Sequence, residues 1–140
     1  MHKNVLCVID IANPKLSGLL LQRASAVSTL DQAQLYVLTV APDLTGGLAG
    51  SFLNQGPLKE LFEQATKMTH DFVQQTAPGV KIAKHFSALG DVEPEAIKAA
   101  NEIEADLIVL GADRSELARS LAAGEAELNG RPPSVYIVRG

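Results

Sequence analysis

The chain has 140 residues, of which 46% are hydrophobic and 20% charged, and it carries a net charge of −4. This length and composition predict one globular domain over residues 1–140 with enough apolar side chains for a core. The scattered basic residues argue against a nucleic-acid partner, and no apolar run approaches the ~20 residues of a membrane span, so we expect a cytoplasmic protein with no membrane partner.

Short apolar runs alternate with helical patterns in the first third of the chain. Val5–Ile9 predicts the first strand, and Cys7 within it is expected to be a buried thiol. Asn13 and Pro14 supply a helix cap and a favourable first helical residue, and apolar residues then recur at helical spacing. Leu35–Val40 predicts the second strand.

A Gly-rich segment follows the second strand. Ala41–Gly56 predicts a long loop, and loops of this length are usually functional or disordered. Pro57 opens the second predicted helix, which ends at Pro78-Gly79. Val80–Ser87 predicts a third strand, and its imperfect alternation favours a sheet edge.

The last part of the chain predicts two helices and two strands. Gly90-Asp91 turns into the third helix. Leu107–Leu110 is apolar throughout, which favours a central strand. Ser115–Asn129 predicts the fourth helix, and Val135–Val138 predicts the fifth strand.

This alternation predicts an α/β fold with a five-stranded parallel sheet, helices on both faces and right-handed crossovers. The most apolar strands, the first and the fourth, are expected at the centre, in the order 3-2-1-4-5. Open parallel sheets bind ligands beyond the carboxyl ends of their strands, where the winding direction reverses. The candidate site is therefore Asp10, Val40 and Gly111.

Several common site types are missing from the sequence. The turn after the first strand has no GxGxxG, and the chain has no GxxxxGK[ST], so neither a dinucleotide site nor a P-loop is predicted. His2, His70 and His85 lie on different elements without metal-ligand spacing, so no metal site is expected. No catalytic constellation is apparent, and we predict no catalytic residue.

The turn after the fourth strand is more informative, because Gly111, Arg114 and Gly124 stand at the positions of a G-x2-G-x9-G spacing. Here the chain resembles the universal stress protein family, over its whole length. The other matching positions are Asp10 at the end of the first strand, Gly90, Pro94 and Ile97 at the entry to the third helix, Ala105–Gly111 in the fourth strand, and Val135–Arg139 at the end.

The resemblance implies the adenine nucleotide alpha hydrolase-like fold. It also implies an ATP site, because nucleotide-binding members hold phosphates with G-x2-G-x9-G-[ST]; glycines let backbone N–H groups approach the anion. The residues implied at the nucleoside are Asp10, Ile11 and Val40. The residues implied near the phosphates are Gly111, Asp113, Arg114, Gly124 and Glu125.

Two positions depart from the family motif. Arg114 replaces the second Gly, and its guanidinium could either clamp a phosphate bidentately or crowd the backbone approach. Glu125 replaces the Ser or Thr after the last Gly, and a carboxylate near a helix N-terminus is stabilised by ~0.3–1 kcal/mol, so it could fill the anion site itself. With Asp113 nearby, these charges favour weak binding, binding assisted by Mg²⁺, or no triphosphate.

Three functions remain open at this point. The first is a stress-response module that binds ATP or AMP and acts as a homodimer, paired antiparallel through Val135–Val138 as the resemblance implies. The second is a nucleotide-free homodimer that acts through protein–protein interaction. The third is a slow ATPase, although no general base is apparent beyond the acids already named.

Overall fold

The computed structural model describes residues 2–10, 12–41, 56–89, 91–124, 128, 130 and 132–140. Their backbone forms a five-stranded sheet with helical crossovers. The elements in chain order are β1 (Asn4–Asp10), α1 (Pro14–Asp31), β2 (Gln34–Ala41), α2 (Gly56–Thr76), β3 (Lys84–Leu89), α3 (Val92–Ile103), β4 (Leu107–Gly111), α4 (Ser115–Ala123) and β5 (Ser134–Val138).

The strand order is β3-β2-β1-β4-β5, and all four pairings are parallel. The predicted fold class and strand order are confirmed, with β1 at the centre and β3 and β5 at the two edges of the described sheet. The register places Asp10, the last residue of β1, directly opposite Val40, the last residue but one of β2.

The core has two layers because side chains alternate across β1. Leu6 and Val8 belong to the cluster that α3 and α4 cover. Val5, Cys7 and Ile9 belong to the opposite cluster, which α1 covers together with Val73 of α2. A central parallel strand is buried on both faces, which is why β1 is apolar from Val5 to Ile9. Cys7 is fully buried as predicted, and burial raises the pKa of its thiol.

Two carboxylates hold the amino end of β1. Asp106 accepts hydrogen bonds from the backbone N–H groups of Lys3 and Asn4, at 2.7 and 3.1 Å. Asp31 accepts from the backbone N–H of His2 at 3.0 Å and contacts its Nδ1 at 2.8 Å. These hydrogen bonds from His2, the backbone bond first, lower the pKa of Asp31. The central strand is therefore anchored at the end opposite to the candidate site.

The predicted boundaries of α1 are supported at its start. Pro14 is the first helical residue, and the Oδ1 atom of Asn13 accepts a hydrogen bond from Leu16 N at 3.5 Å. The predicted third strand, Val80–Ser87, is wrong at its start, because β3 begins at Lys84. Val80 and Ile82 instead pack on the α1 side of the core from the preceding loop, which explains their apolar character.

The predicted fourth helix, Ser115–Asn129, is also wrong in length, because α4 ends at Ala123. Gly124 follows it with φ of 74°, a left-handed conformation that suits glycine and ends a helix. Its N–H bonds back to the carbonyls of Leu121 and Ser120. The predicted loop residues 42–55, together with Gly90, lie outside the described residues.

Candidate functional site

Asp10, Val40 and Gly111 end or nearly end three adjacent strands, β1, β2 and β4. The topology therefore brings all three to one edge of the sheet, where ligands of open parallel sheets bind. The side chain of Val40 is buried in the core, so only its backbone can face a ligand. Gly111 is buried at the end of β4, directly before the turn Ala112–Arg114.

Asp10 is fixed by four hydrogen bonds at the end of β1. Its carbonyl accepts from the N–H of Asn13 at 3.0 Å and from the Oγ of Ser17 at 2.7 Å. Its own N–H donates to the same Ser17 Oγ at 3.0 Å. Its carboxylate Oδ1 accepts from the N–H of Ala12 at 2.8 Å. The carboxylate is therefore oriented by the turn between β1 and α1.

Ser17 is a site residue that the sequence reasoning missed. It is buried in the first turn of α1 and bridges the N–H and C=O groups of Asp10. The signal available in the sequence was a small hydroxyl residue among Leu16, Leu19 and Leu20, on a helix that starts just after Asp10. Because its hydroxyl satisfies backbone groups at a strand end, its role is to position Asp10.

Arg114 reaches Asp10 from the turn after β4. Its Nη2 atom lies 3.5 Å from the Oδ2 atom of Asp10, and the two side chains are 28% and 29% exposed. A partly exposed pair of this kind stabilises a fold by only about 0.2–1 kcal/mol. The pair is therefore weak enough for a ligand to compete with it.

Gly111 lies against the side chain of Asp113. A Cβ atom at position 111 would stand 2.5 Å from the Oδ1 atom of Asp113 and 2.8 Å from the Cδ2 atom of Leu16. A larger residue here would have to displace the ends of these two side chains, whereas the φ of −77° is open to any residue. The Asp113 carboxylate covers the face of Gly111 that the missing side chain leaves open.

The cleft between these residues is small, with a volume of about 10 Å³. Its lining includes Asp10, Asn13, Gly111, Asp113 and Arg114. Pockets that enclose a small-molecule ligand measure roughly 300–1,000 Å³. The described residues can therefore contact one side of a nucleotide, but they do not form a pocket large enough to enclose it.

A larger cavity, of about 440 Å³, lies at the opposite side of the sheet, near the amino ends of the strands. It is lined in part by His2, Asp106 and Ser134. The volume of this cavity would favour it as a ligand site, but the polar groups that line it do not. Both oxygens of Asp106 are already bonded to backbone N–H groups of the β1 anchor. Residues 129 and 131, which adjoin its lining residues Leu128 and Pro132, lie outside the described part of the chain. The strand carboxyl ends remain the better candidate.

The other predicted site residues are placed differently. Gly124 stands at the carboxyl end of α4 rather than inside a helix. A Cβ there would lie 3.2 Å from the Cγ atom of Pro132, so Gly124 packs against the segment that leads into β5. Ile11 and Glu125 lie outside the described residues.

Among the residues that the structure describes, no three His, Cys, Asp or Glu side chains lie close enough together to hold a metal ion. Across the same ranges, no helix combines the length and apolar content needed to cross a bilayer.

Comparison with known proteins identifies related folds. The chain is similar to hypothetical protein MJ0577, with 18% identity, a TM-score of 0.70, and coverage of 100% of this chain and 97% of that one. It is similar to the universal stress protein of Archaeoglobus fulgidus in complex with dAMP, with 16% identity, a TM-score of 0.57 and coverage of 98% and 97%. A universal stress protein in complex with cAMP matches with 17% identity, a TM-score of 0.54 and coverage of 99% and 97%.

These likenesses confirm the predicted fold, a five-stranded parallel sheet with helical crossovers. No curated protein matches the sequence significantly. The model of the universal stress protein family matches residues 1–126, which is most of the chain. The chain therefore belongs to the universal stress protein family.

Proposed function

We propose that this protein binds an adenine nucleotide at the carboxyl ends of β1, β2 and β4. The observation that carries this proposal is the pairing of Asp10 with Arg114, 3.5 Å apart at that edge. A carboxylate accepts hydrogen bonds from ribose hydroxyls, and a guanidinium binds phosphate oxygens. A nucleotide presents both groups within one small molecule.

The structural relatives support the ligand class. Two universal stress proteins of this fold are complexes with cAMP and with dAMP, which are adenine nucleotides with a single phosphate. We assign the nucleoside to Asp10, Ile11 and the backbone of Val40. We assign the phosphate side to Gly111, Arg114, Gly124 and Glu125, with Asp113 bordering it.

The protein acts, in this proposal, as a binding module of a stress response and as a homodimer joined through β5. The adenine nucleotide, ATP or AMP with or without Mg²⁺, is the ligand and its bound state is the signal. Hydrolysis would require a base, and the Asp10 carboxylate is already engaged by Ala12 N–H and the Arg114 guanidinium. Any ATPase activity would therefore be slow.

Isothermal titration with AMP and with ATP tests the proposal. We expect saturable binding by the wild-type protein and a loss of at least about tenfold in affinity for Asp10→Ala, equal to about 1.4 kcal/mol. Asp71→Ala is the matched control, because Asp71 is an exposed acid in the last turns of α2, towards the opposite edge of the sheet. Equal losses in the two variants, or no heat with any nucleotide, would contradict the proposal.

The nucleotide-free alternative is favoured by one observation, the 10 Å³ cleft that the Asp10–Arg114 pair leaves at this edge. In that case the pair is a structural contact, and the homodimer is the functional unit. The same titration separates the two, because a nucleotide-free protein shows no saturable heat with AMP or ATP while remaining folded by circular dichroism.

A further inference from the structure

We infer that the site takes adenine ligands with a single phosphate in preference to ATP, and that Asp113 is the residue that sets this limit. The inference rests on the proposed function, since it concerns the ligand of the same site. It adds a specificity determinant at a position that the nucleotide-binding motif leaves variable.

The first argument is the charge of the described site. Asp10 and Asp113 contribute two negative charges and Arg114 one positive charge, so the three side chains sum to −1. A monophosphate ester carries about −1.5 to −2 at neutral pH, and each further phosphate adds to that charge. The single guanidinium can pair with one phosphate group and offset part of its charge, and every further phosphate adds negative charge to a site that is already negative.

The second argument is the position of the Asp113 carboxylate. Its Oδ1 atom occupies the space where a Cβ of Gly111 would point. A bare glycine at a strand end normally offers its backbone to an anion at close range. Here a carboxylate oxygen lies against that glycine, so an approaching phosphate meets like charge at the Gly111 face.

The third argument is the distribution of the positive charge. Arg114 is held towards Asp10, on the β1 side of the turn, at 3.5 Å. It can therefore serve a phosphate directly attached to a ribose that Asp10 holds. Phosphates further from the ribose extend away from this pair and gain nothing from it.

The test is a set of titrations with adenosine, AMP and ATP, all in EDTA, on three proteins. The wild-type protein is compared with Asp113→Asn, which keeps the side-chain shape and removes the charge. Glu116→Gln is the matched control, because Glu116 is another exposed acid in the first turn of α4. Circular dichroism and urea unfolding verify the fold, and Asp113→Ser replaces Asp113→Asn if the amide variant does not fold.

We expect the wild-type protein to bind AMP at least about tenfold more tightly than ATP, a difference of about 1.4 kcal/mol. Asp113→Asn should reduce this ratio to about a tenth of its wild-type value, mainly by tightening ATP, because repulsion is removed. Glu116→Gln should change the ratio by less than about threefold, since a single exposed charge acts weakly at a distance in salt.

Each other outcome is decisive. Wild-type binding of ATP as tight as that of AMP overturns the inference and leaves the proposed function standing. A ratio that neither Asp113 variant changes, or that Glu116→Gln changes as much, overturns the role of Asp113. The absence of binding with all three ligands overturns the proposed function, and this inference with it.

Discussion

Arg114, in the turn after β4, places its Nη2 atom 3.5 Å from the Oδ2 atom of Asp10 at the end of β1. The contact joins the two central strands of the sheet at their carboxyl ends, where the winding direction changes. Arg114 also places a charged side chain at the position where the family motif has its second glycine. The Asp10–Arg114 pair therefore gives this site a charged contact that a glycine at position 114 would not provide.

We predict that Arg114→Gln weakens AMP binding much more than it weakens the fold. Hydrogen bonds to charged groups contribute about 1.5–3 kcal/mol, so we expect a loss in affinity of about tenfold or more. The unfolding free energy should change by less than about 1 kcal/mol, because the ion pair is partly exposed. Titration calorimetry and urea unfolding measure the two quantities. Arg119→Gln, at an exposed position on α4, is the control, and an equal loss of affinity there would refute the phosphate role of Arg114.

Gly111 offers a prediction about stability. We expect Gly111→Ala to lower the unfolding free energy by about 1–3 kcal/mol, the usual cost of overpacking. The added Cβ would lie 2.5 Å from Asp113 Oδ1 and 2.8 Å from Leu16 Cδ2. Because the shortest of these contacts is with Asp113, the double variant with Asp113→Ala should recover part of the loss. Additive effects of the two changes in urea unfolding would show that Asp113 does not crowd position 111.

Much of the fold follows from patterns that the sequence shows directly. The uninterrupted apolar runs of β1 and β4 reflect burial on both faces, which is why their central position could be predicted. The prediction of β3 was wrong at its start because Val80 and Ile82 are apolar for a different reason, as loop residues that cover the core. An apolar pattern in the sequence indicates that side chains are buried, but residues of a loop can be buried as well as residues of a strand.

The candidate site could be predicted only in part, for physical reasons that differ by residue. Asp10 follows from its place after a buried strand. The role of Ser17 could not be predicted, because it consists of two hydrogen bonds to Asp10, which only the folded backbone brings close to it. The end of α4 at Ala123 depends on the left-handed conformation of Gly124, and a glycine inside an apparently helical pattern can either end the helix or continue it.

His85 makes the stability of the protein depend on pH. Burial, and next the charge of nearby His70, lower the pKa of His85 below its usual 6.5. The two rings lie 5.3 Å apart between α2 and β3, and His85 Nδ1 is buried without a hydrogen-bond partner among the described residues. The unfolded chain therefore binds the proton more readily than the folded one does.

The sign of the effect follows from that difference. The stabilisation is fully present above pH 6.5 and is lost as the pH falls from there towards the lowered pKa of the folded state. We predict that urea midpoints decrease over this range and that His85→Phe flattens the decrease. His70→Gln should bring the pKa of His85 closer to 6.5 in an NMR titration. A His85 ring that titrates at or above 6.5 in the wild-type protein would contradict this account.

The two edges of the sheet differ in a way that bears on the proposed homodimer. At the β3 edge, Lys84 pairs with Glu102 at 3.1 Å and lies 4.8 Å from the ring centre of Phe86. Charged side chains on an edge strand oppose pairing with another chain. The β5 edge has the sequence SVYIV, without a charge, and Ile137 is 42% exposed.

We therefore predict that the wild-type protein sediments as a dimer and that Ile137→Lys dissociates it. A lysine at this edge would have to lose water on pairing, and we expect the dissociation constant to rise at least about tenfold, or about 1.4 kcal/mol. Leu30→Lys is the matched control, because Leu30 is 79% exposed on α1, a helix that packs mainly on the inner strands β1 and β4. Sedimentation velocity over a concentration series measures the dissociation constants. A wild-type monomer would contradict the homodimer. Equal weakening by the two lysines would place the interface elsewhere, because only pairing through β5 makes Ile137 more sensitive than Leu30.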